Sequence, residues 1–168
     1  MDEGRATALL DGALLRSLEE APAFFEGLGA DLPEARARWK PAGEPSGDDW
    51  SLLEHLCHLL EIERAGYTRR IDRILREERP FLEDLDGDKL FAQGDYNSCD
   101  WADTLRDFLD ERRANIRRVA SLSAGELNRG GVFEGVGPVT LVGLVHMMRE
   151  HDEDHLGRLA QLCARLPS

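Results

Sequence analysis

The chain has 168 residues, 42% of them hydrophobic and 32% charged, a balance that predicts one soluble globular domain spanning residues 1–168 and not a disordered chain. Its formal net charge of −12 argues against nucleic-acid binding, because phosphate recognition depends on clustered lysine and arginine. No apolar run approaches the ~18–20 residues that span a bilayer, and the first ten residues lack the basic segment of a signal peptide, so we expect a cytoplasmic protein with no membrane partner.

The first half of the chain predicts two long helices. Residues 5–28 place apolar side chains three and four apart, which is typical of a helix, and Pro22 should kink or split it. A connector rich in Gly, Pro and Asp follows and has room for one or two helical turns. The second helix is predicted to begin near Trp50, capped by Asp48 or Asp49, and to end at about Glu78, before Pro80.

The second half predicts two more helices after a long loop at residues 80–100. The third helix should cover residues 101–122, and Ser123 with Glu126 forms a possible capping box for one short turn. Residues 128–138 are rich in glycine and predict a crossing segment. The last helix should open at 138–140 and run to about residue 166. Four long helices with almost no strand signal predict an all-α four-helix bundle with long connectors.

Two histidines fall within the apolar stripe of the last helix. At ~100° per residue, His151 lies within about 40° of His155, together with most of the helix's leucines and Met148, whereas His146 falls on the opposite side and should be exposed. Buried neutral imidazoles need partners for their ring nitrogens, and histidines four residues apart can bind one metal ion. A hydrogen-bonded pair of core histidines is the alternative, and periodicity does not decide between the two.

A third metal ligand would have to come from the second helix, where His55 and His58 are the candidates. The apolar stripe of that helix is defined by Leu56, Leu60, Tyr67 and Ile74. Both histidines lie well off this stripe, and His55 is slightly nearer to it. Helical periodicity therefore leaves the choice open.

Two motifs resemble a known family. One comprises Trp50-Ser51, Glu54 and His58-Leu59, and the other is TLVGLVHMMREHDEDHLGRLAQL at residues 140–162. Together they resemble the second and last helices of the DinB/YfiT-like superfamily of metal-binding four-helix bundles. The resemblance implies that His58, His151 and His155 bind one divalent ion, because the family's second-helix ligand lies eight residues after the tryptophan. An all-imidazole set suits zinc, nickel or iron about equally.

The resemblance also implies a function. It favours a metal-dependent enzyme on small molecules, of thiol-dependent S-transferase or hydrolase type, with a low-molecular-weight thiol as a candidate cofactor. The alternative is a non-catalytic, stress-associated metal-binding protein, and in either case we expect a homodimer. No feature of the sequence ties the chain to one thiol.

Three carboxylates near His58 are candidate bases or orienting partners, namely Glu54, Glu61 and Glu63. Solvated surface is the alternative for Glu54 and Glu61, and an arginine pair is the alternative for Glu63. On the last helix, Asp152 borders the stripe and is expected to be solvated, as are Glu153 and Asp154. The cysteines, Cys57, Cys99 and Cys163, follow no metal-binding spacing and are predicted to be reduced.

Overall fold

The computed structural model describes residues 10–41, 50–87, 89–90 and 94–167. The helices are α1 (Gly12–Ser17), α2 (Glu20–Leu28), α3 (Glu34–Ala37), α4 (Leu52–Glu61), α5 (Arg69–Arg76), α6 (Trp101–Ala120), α7 (Ala124–Leu127) and α8 (Leu141–Cys163). A π-helical segment, Ile62–Thr68, joins α4 to α5 into one continuous rod, and a 3-10 turn, Tyr96–Ser98, precedes α6. The four bundle helices are α1 with α2, α4 with α5, α6, and α8, which confirms the predicted all-α bundle. No helix among the described residues is long and apolar enough to cross a membrane.

The first predicted helix is split, as expected from Pro22. The break lies between Ser17 and Glu20, and Pro22 is the third residue of α2. Proline is tolerated there because the first backbone N–H groups of a helix have no partner within it. The predicted residues 5–9 lie outside the described part of the chain.

The second helix begins one residue after Trp50 and is capped by Ser51. The Ser51 hydroxyl accepts a hydrogen bond from the Glu54 backbone N–H, and the Glu54 carboxylate accepts one from the Ser51 N–H at 2.8 Å. This reciprocal capping box satisfies two N–H groups of the first turn. The prediction of Asp48 or Asp49 as the cap is therefore wrong, and both aspartates lie outside the described residues.

The glycine-rich residues 128–138 form strands, not an irregular crossing. Strand β2 (Gly130–Phe133) pairs antiparallel with β3 (Gly137–Thr140), and the short β1 (Phe81–Leu82) pairs parallel with β2. A Cβ atom at Gly130 would collide with the Val139 carbonyl of β3, and one at Gly131 with the Pro80 carbonyl just before β1. Glycine is therefore needed for the close approach that closes this sheet over one end of the bundle.

The predicted stripe of α8 is buried, with Leu141, Leu144, Met148, Leu159 and Leu162 all in the core. His146 is partly buried and not exposed, contrary to the prediction. The three cysteines are free thiols, as predicted.

Candidate metal centre

The bundle brings three histidines together from two helices. One ring nitrogen from each of His58, His151 and His155 lies within 4.8 Å of the other two. The ring centroids of His151 and His155 are 4.6 Å apart, and that of His58 lies 5.0 Å from His155. Helix α8 supplies a pair one turn apart, and α4 supplies the third ring. The three residues named by the family resemblance therefore meet at one point.

The chemistry of this cluster fits a divalent transition metal. Burial lowers the pKa of His155 to about 2 and that of His151 to about 4, so both rings are neutral near pH 7 and carry a free lone pair. The Nδ1 atom of His151 is buried and has no hydrogen-bond partner among the described residues. Neutral imidazoles are ligands for zinc, nickel and iron, and a metal would satisfy ring nitrogens that burial otherwise leaves costly.

His55 contacts the cluster without being one of its three converging rings. Its Nδ1 lies 2.9 Å from Nδ1 of His155, so one of these nitrogens donates a hydrogen bond and the other accepts it. This contact leaves Nε2 of His155 for an ion. Outer partners of this kind fix the tautomer and orientation of a metal-binding imidazole. His55 is therefore placed to orient His155.

The Trp50 indole and the backbone at Gly87 flank the cluster on two sides. The Trp50 ring centroid lies 5.0 Å from that of His58 and 6.0 Å from that of His155. On another side, a Cβ atom added to Gly87 would lie 3.1 Å from Cε1 of His58. The backbone of Gly87, which is helical, thus packs directly against the His58 ring, and a larger residue at this position would disturb that contact.

Two neighbouring cavities border the cluster. The larger, of about 710 Å³, is lined by all three histidines, Trp50 and Arg158, with four acidic residues at its wall: Asp84, Asp86, Glu134 and Asp154. The smaller, of about 440 Å³, also reaches His58 and His151. Cavities of this size accommodate small molecules. The cluster therefore faces space that a ligand can enter.

A buried ion network ties the two histidine-bearing helices together. Arg112 of α6 donates hydrogen bonds to Glu63, at 2.8 Å, and to both carboxylate oxygens of Asp152. Asn115 donates to the other oxygen of Glu63 at 2.6 Å. Burial raises the pKa of Glu63, and Arg112 and Asn115 oppose that shift. The arginine pair that stood as the alternative for Glu63 is the one observed, whereas the solvated position predicted for Asp152 is wrong, because Asp152 is buried and bound by Arg112.

The other candidate carboxylates also have structural contacts. Glu54 is buried in the capping box and pairs with Lys40, so the solvated alternative is wrong for it. Glu61 accepts a hydrogen bond from the Tyr96 hydroxyl, and burial raises its pKa. Within the described part of the chain, Glu54, Glu61 and Glu63 line neither cavity.

Sequence reasoning missed the residues that line the cavities away from the histidines. Tyr67 was assigned to the apolar stripe and Arg70 was not singled out, yet both border the smaller cavity. The prediction of a long loop at residues 80–100, which carry Asp84 and Gly87 of the cavity wall, is only partly right, because β1, a short helical stretch at 87 and 89–90 and a 3-10 turn lie within it. A usable signal existed for the hairpin wall, because two short β-prone runs flank a turn containing Gly135.

Acid should destabilise the metal-free protein through its histidines. His151 has a pKa near 4 in the folded protein and about 6.5 when unfolded, so the unfolded chain binds the extra proton. This stabilisation is complete above pH 6.5 and is lost as the pH falls towards 4, at up to about 1.4 kcal/mol per pH unit per proton. Urea unfolding in chelator at pH 7, 6 and 5 measures the slope.

The matched control replaces both His151 and His155 with leucine, which continues the apolar stripe. Its unfolding free energy should depend less on pH, and it should melt no lower than the metal-free wild type. Parallel pH profiles for the two proteins would contradict the expectation that these histidines are buried in the neutral form.

Comparisons with known proteins agree with this architecture. The family model of the DinB superfamily matches residues 17–159. The solved structure of YfiT from Bacillus subtilis, described as a probable metal-dependent hydrolase with an unusual four-helix bundle topology, is similar with a TM-score of 0.75 and 18% identity, over 91% of this chain and 85% of that one. No curated protein matches the sequence. At that identity the structural likeness shows the fold alone, whereas the family match spans most of the sequence, and this chain therefore belongs to the DinB superfamily.

Proposed function

We propose that this protein is a metal-dependent enzyme acting on small molecules, with one divalent ion bound by His58, His151 and His155. The observation that carries the proposal is the position of these rings at the wall of a 710 Å³ cavity. Structural metal sites are closed by four protein ligands, whereas catalytic sites have three and leave a position open for water or substrate. Three histidines beside a cavity are the catalytic arrangement.

The residues around the cluster keep its imidazoles neutral and hold them in position for such an ion. A divalent ion bound there would supply Lewis acidity and favour an anionic nucleophile near neutral pH. Burial keeps His151 and His155 neutral, so these two ligands add no charge of their own. His55 orients His155, and Arg112 fixes the relative position of the two ligand-bearing helices through Glu63 and Asp152.

Hydrolysis is the first reaction class that we propose. The similar fold of YfiT, described as a probable metal-dependent hydrolase, supports it. Thiol-dependent S-transfer is the second class. The two cavities adjoin at His58 and His151, which gives room for a low-molecular-weight thiol and an electrophile side by side.

We expect the purified protein to bind about one zinc or nickel ion per chain and to turn over small substrates only when loaded. Elemental analysis gives the stoichiometry. Activity is then measured on a panel of small esters, amides and lactones with water, and on electrophiles with glutathione or bacillithiol. His146→Ala is the control, because this histidine lies outside the cluster.

Three negative results of these experiments lead to different conclusions about the proposed function. Absence of metal after reconstitution with zinc and nickel would remove the proposal. One bound ion without turnover on either panel would instead support the non-catalytic alternative, and sedimentation analysis would then test the homodimer expected for it. A turnover that persists in the metal-free protein would show that the chemistry lies elsewhere.

A further inference from the structure

The smaller cavity has a polar end that the metal cluster does not explain. Tyr67 and Arg70 both line it, and both side chains are deeply buried, with only 5% of Tyr67 and 7% of Arg70 exposed. Tyr67 belongs to the π-helical segment and Arg70 to the first turn of α5. The same cavity reaches His58 and His151 at its other side.

Among the described residues, the positive charge of Arg70 has one acidic partner, and that partner is distant. Its guanidinium donates one hydrogen bond, at 2.7 Å, to the Glu83 carbonyl, lies 4.5 Å from the Phe133 ring centroid, and stands 3.8 Å from the Asp84 carboxylate. Asp84 is 63% exposed, so water screens this distant pair. Burial lowers the pKa of Arg70. A buried guanidinium with donors left over favours an anionic partner.

Tyr67 adds a neutral donor near this charge, since its ring centroid lies 6.0 Å from the Arg70 guanidinium carbon. Its hydroxyl has no hydrogen bond to any described residue, although the ring is buried. A phenol hydroxyl carries its proton near neutral pH and can donate it in a hydrogen bond. Asp152 is bound by Arg112 and does not accept the Tyr67 proton. The hydroxyl of this cavity-lining residue is therefore available to donate a hydrogen bond to a ligand oxygen.

The other residues that line the smaller cavity indicate the chemical character of the rest of the ligand. Apolar side chains dominate them: Ile62, Leu85, Phe133 and Met147. Glu150 and Asp84 are the acidic residues of the lining, and both are exposed at its edge. An arginine fork beside a hydroxyl matches a planar carboxylate better than a bulky or cationic group.

We propose that this cavity binds the carboxylate of a small molecule with an apolar body, held by Arg70 and Tyr67 and lying beside His58 and His151. The carboxylate is the anchored end, and the rest of the molecule extends along the apolar wall towards the metal cluster. This assignment rests on the proposed function only where it makes the ligand a substrate. Binding itself does not require the ion.

Benzoate is the probe, and benzyl alcohol, of similar shape but uncharged, is its control. Dissociation constants are measured by NMR titration of metal-free and zinc-loaded protein. We expect benzoate to bind both forms, and at least about tenfold more tightly than benzyl alcohol. Arg70→Met should remove this preference. Tyr67→Phe, which breaks no hydrogen bond to a described residue, should weaken benzoate several-fold and leave benzyl alcohol unchanged.

Arg76→Met is the matched control, because Arg76 lies on the same helix with 78% of its side chain exposed. Unchanged benzoate affinity in both Tyr67→Phe and Arg70→Met would overturn the proposal and leave Arg70 as a clamp on the loop at Glu83. So would benzoate binding that appears only with zinc, which would place the carboxylate on the ion. Failure of the protein to bind metal would defeat the proposed function, while benzoate binding to the metal-free form would still support this inference.

Discussion

Replacing Arg112 with methionine is expected to lower the free energy of unfolding by about 3–5 kcal/mol, the usual cost of removing one partner from a buried ion pair. Arg112 is 1% exposed and contacts two carboxylates that are equally buried, Glu63 and Asp152. Methionine fills much of the volume but leaves both carboxylates without a counter-charge. For a domain of this size, the melting temperature should fall by on the order of 10 °C.

The pH dependence identifies the cause. Without the arginine, burial raises the pKa of both acids further above the unfolded value, so their cost is largest at neutral pH and shrinks as the pH falls and they take up protons. The triple variant Glu63→Gln, Arg112→Met, Asp152→Asn should recover much of the loss, because no unpaired charge remains. Arg113→Met, at a neighbouring exposed position, is the control. Equal stability of the Arg112 and Arg113 variants would contradict the buried network.

A graded loss of metal affinity is expected across the histidines. His58→Ala removes one of three converging ligands and should weaken zinc binding by more than about a hundredfold. His55→Ala should cost roughly 10–100-fold, because His55 holds the His155 ring and does not join the cluster. His146→Ala should leave affinity unchanged. Competition titrations with a zinc-binding dye measure all three.

The order of these effects discriminates between the two second-helix histidines. A larger loss in His55→Ala than in His58→Ala would mean that the wrong ring has been assigned to the ion. Circular dichroism of each variant without metal provides the necessary check. Each must retain the helical signal of the wild type for its affinity to be compared.

The bundle and the α8 pair could be predicted from the sequence because both depend on local periodicity. His151 and His155 lie on one stripe of a helix whose opposite face is polar, so their spacing carries the information. The sheet could not be predicted in the same way. The hairpin of β2 and β3 carried only a short signal, with four residues in each strand on either side of the Gly135 turn, and the long-range pairing of β1 with β2 leaves no local signal.

The second-helix ligand could not be chosen from periodicity, for a physical reason. Every residue of α4 from Leu52 to Leu59 is buried. This part of the helix has no exposed polar face, so periodicity cannot show which of His55 and His58 faces the cluster. The burial of two carboxylates could not be predicted from the sequence for another reason. Asp152 and Glu63 are buried because they form ion pairs with Arg112. Arg112 lies on a different helix, and the sequence alone does not reveal contacts between helices.

The π-helical segment determines how α4, which carries His58, and α5, which carries Arg70, both reach the smaller cavity. His58 and Arg70 are twelve residues apart, so an unbroken α-helix turning ~100° per residue would separate them by ~120° around the axis. A π turn takes in about one extra residue, which leaves ~1100° and brings the pair within ~20° of three full turns. The segment thereby sets the rotational phase between the half of the helix that carries His58 and the half that carries Arg70. Deleting one residue there would turn Arg70 away from the side of the helix that bears His58, and would turn the buried Ile71 and Ile74 with it.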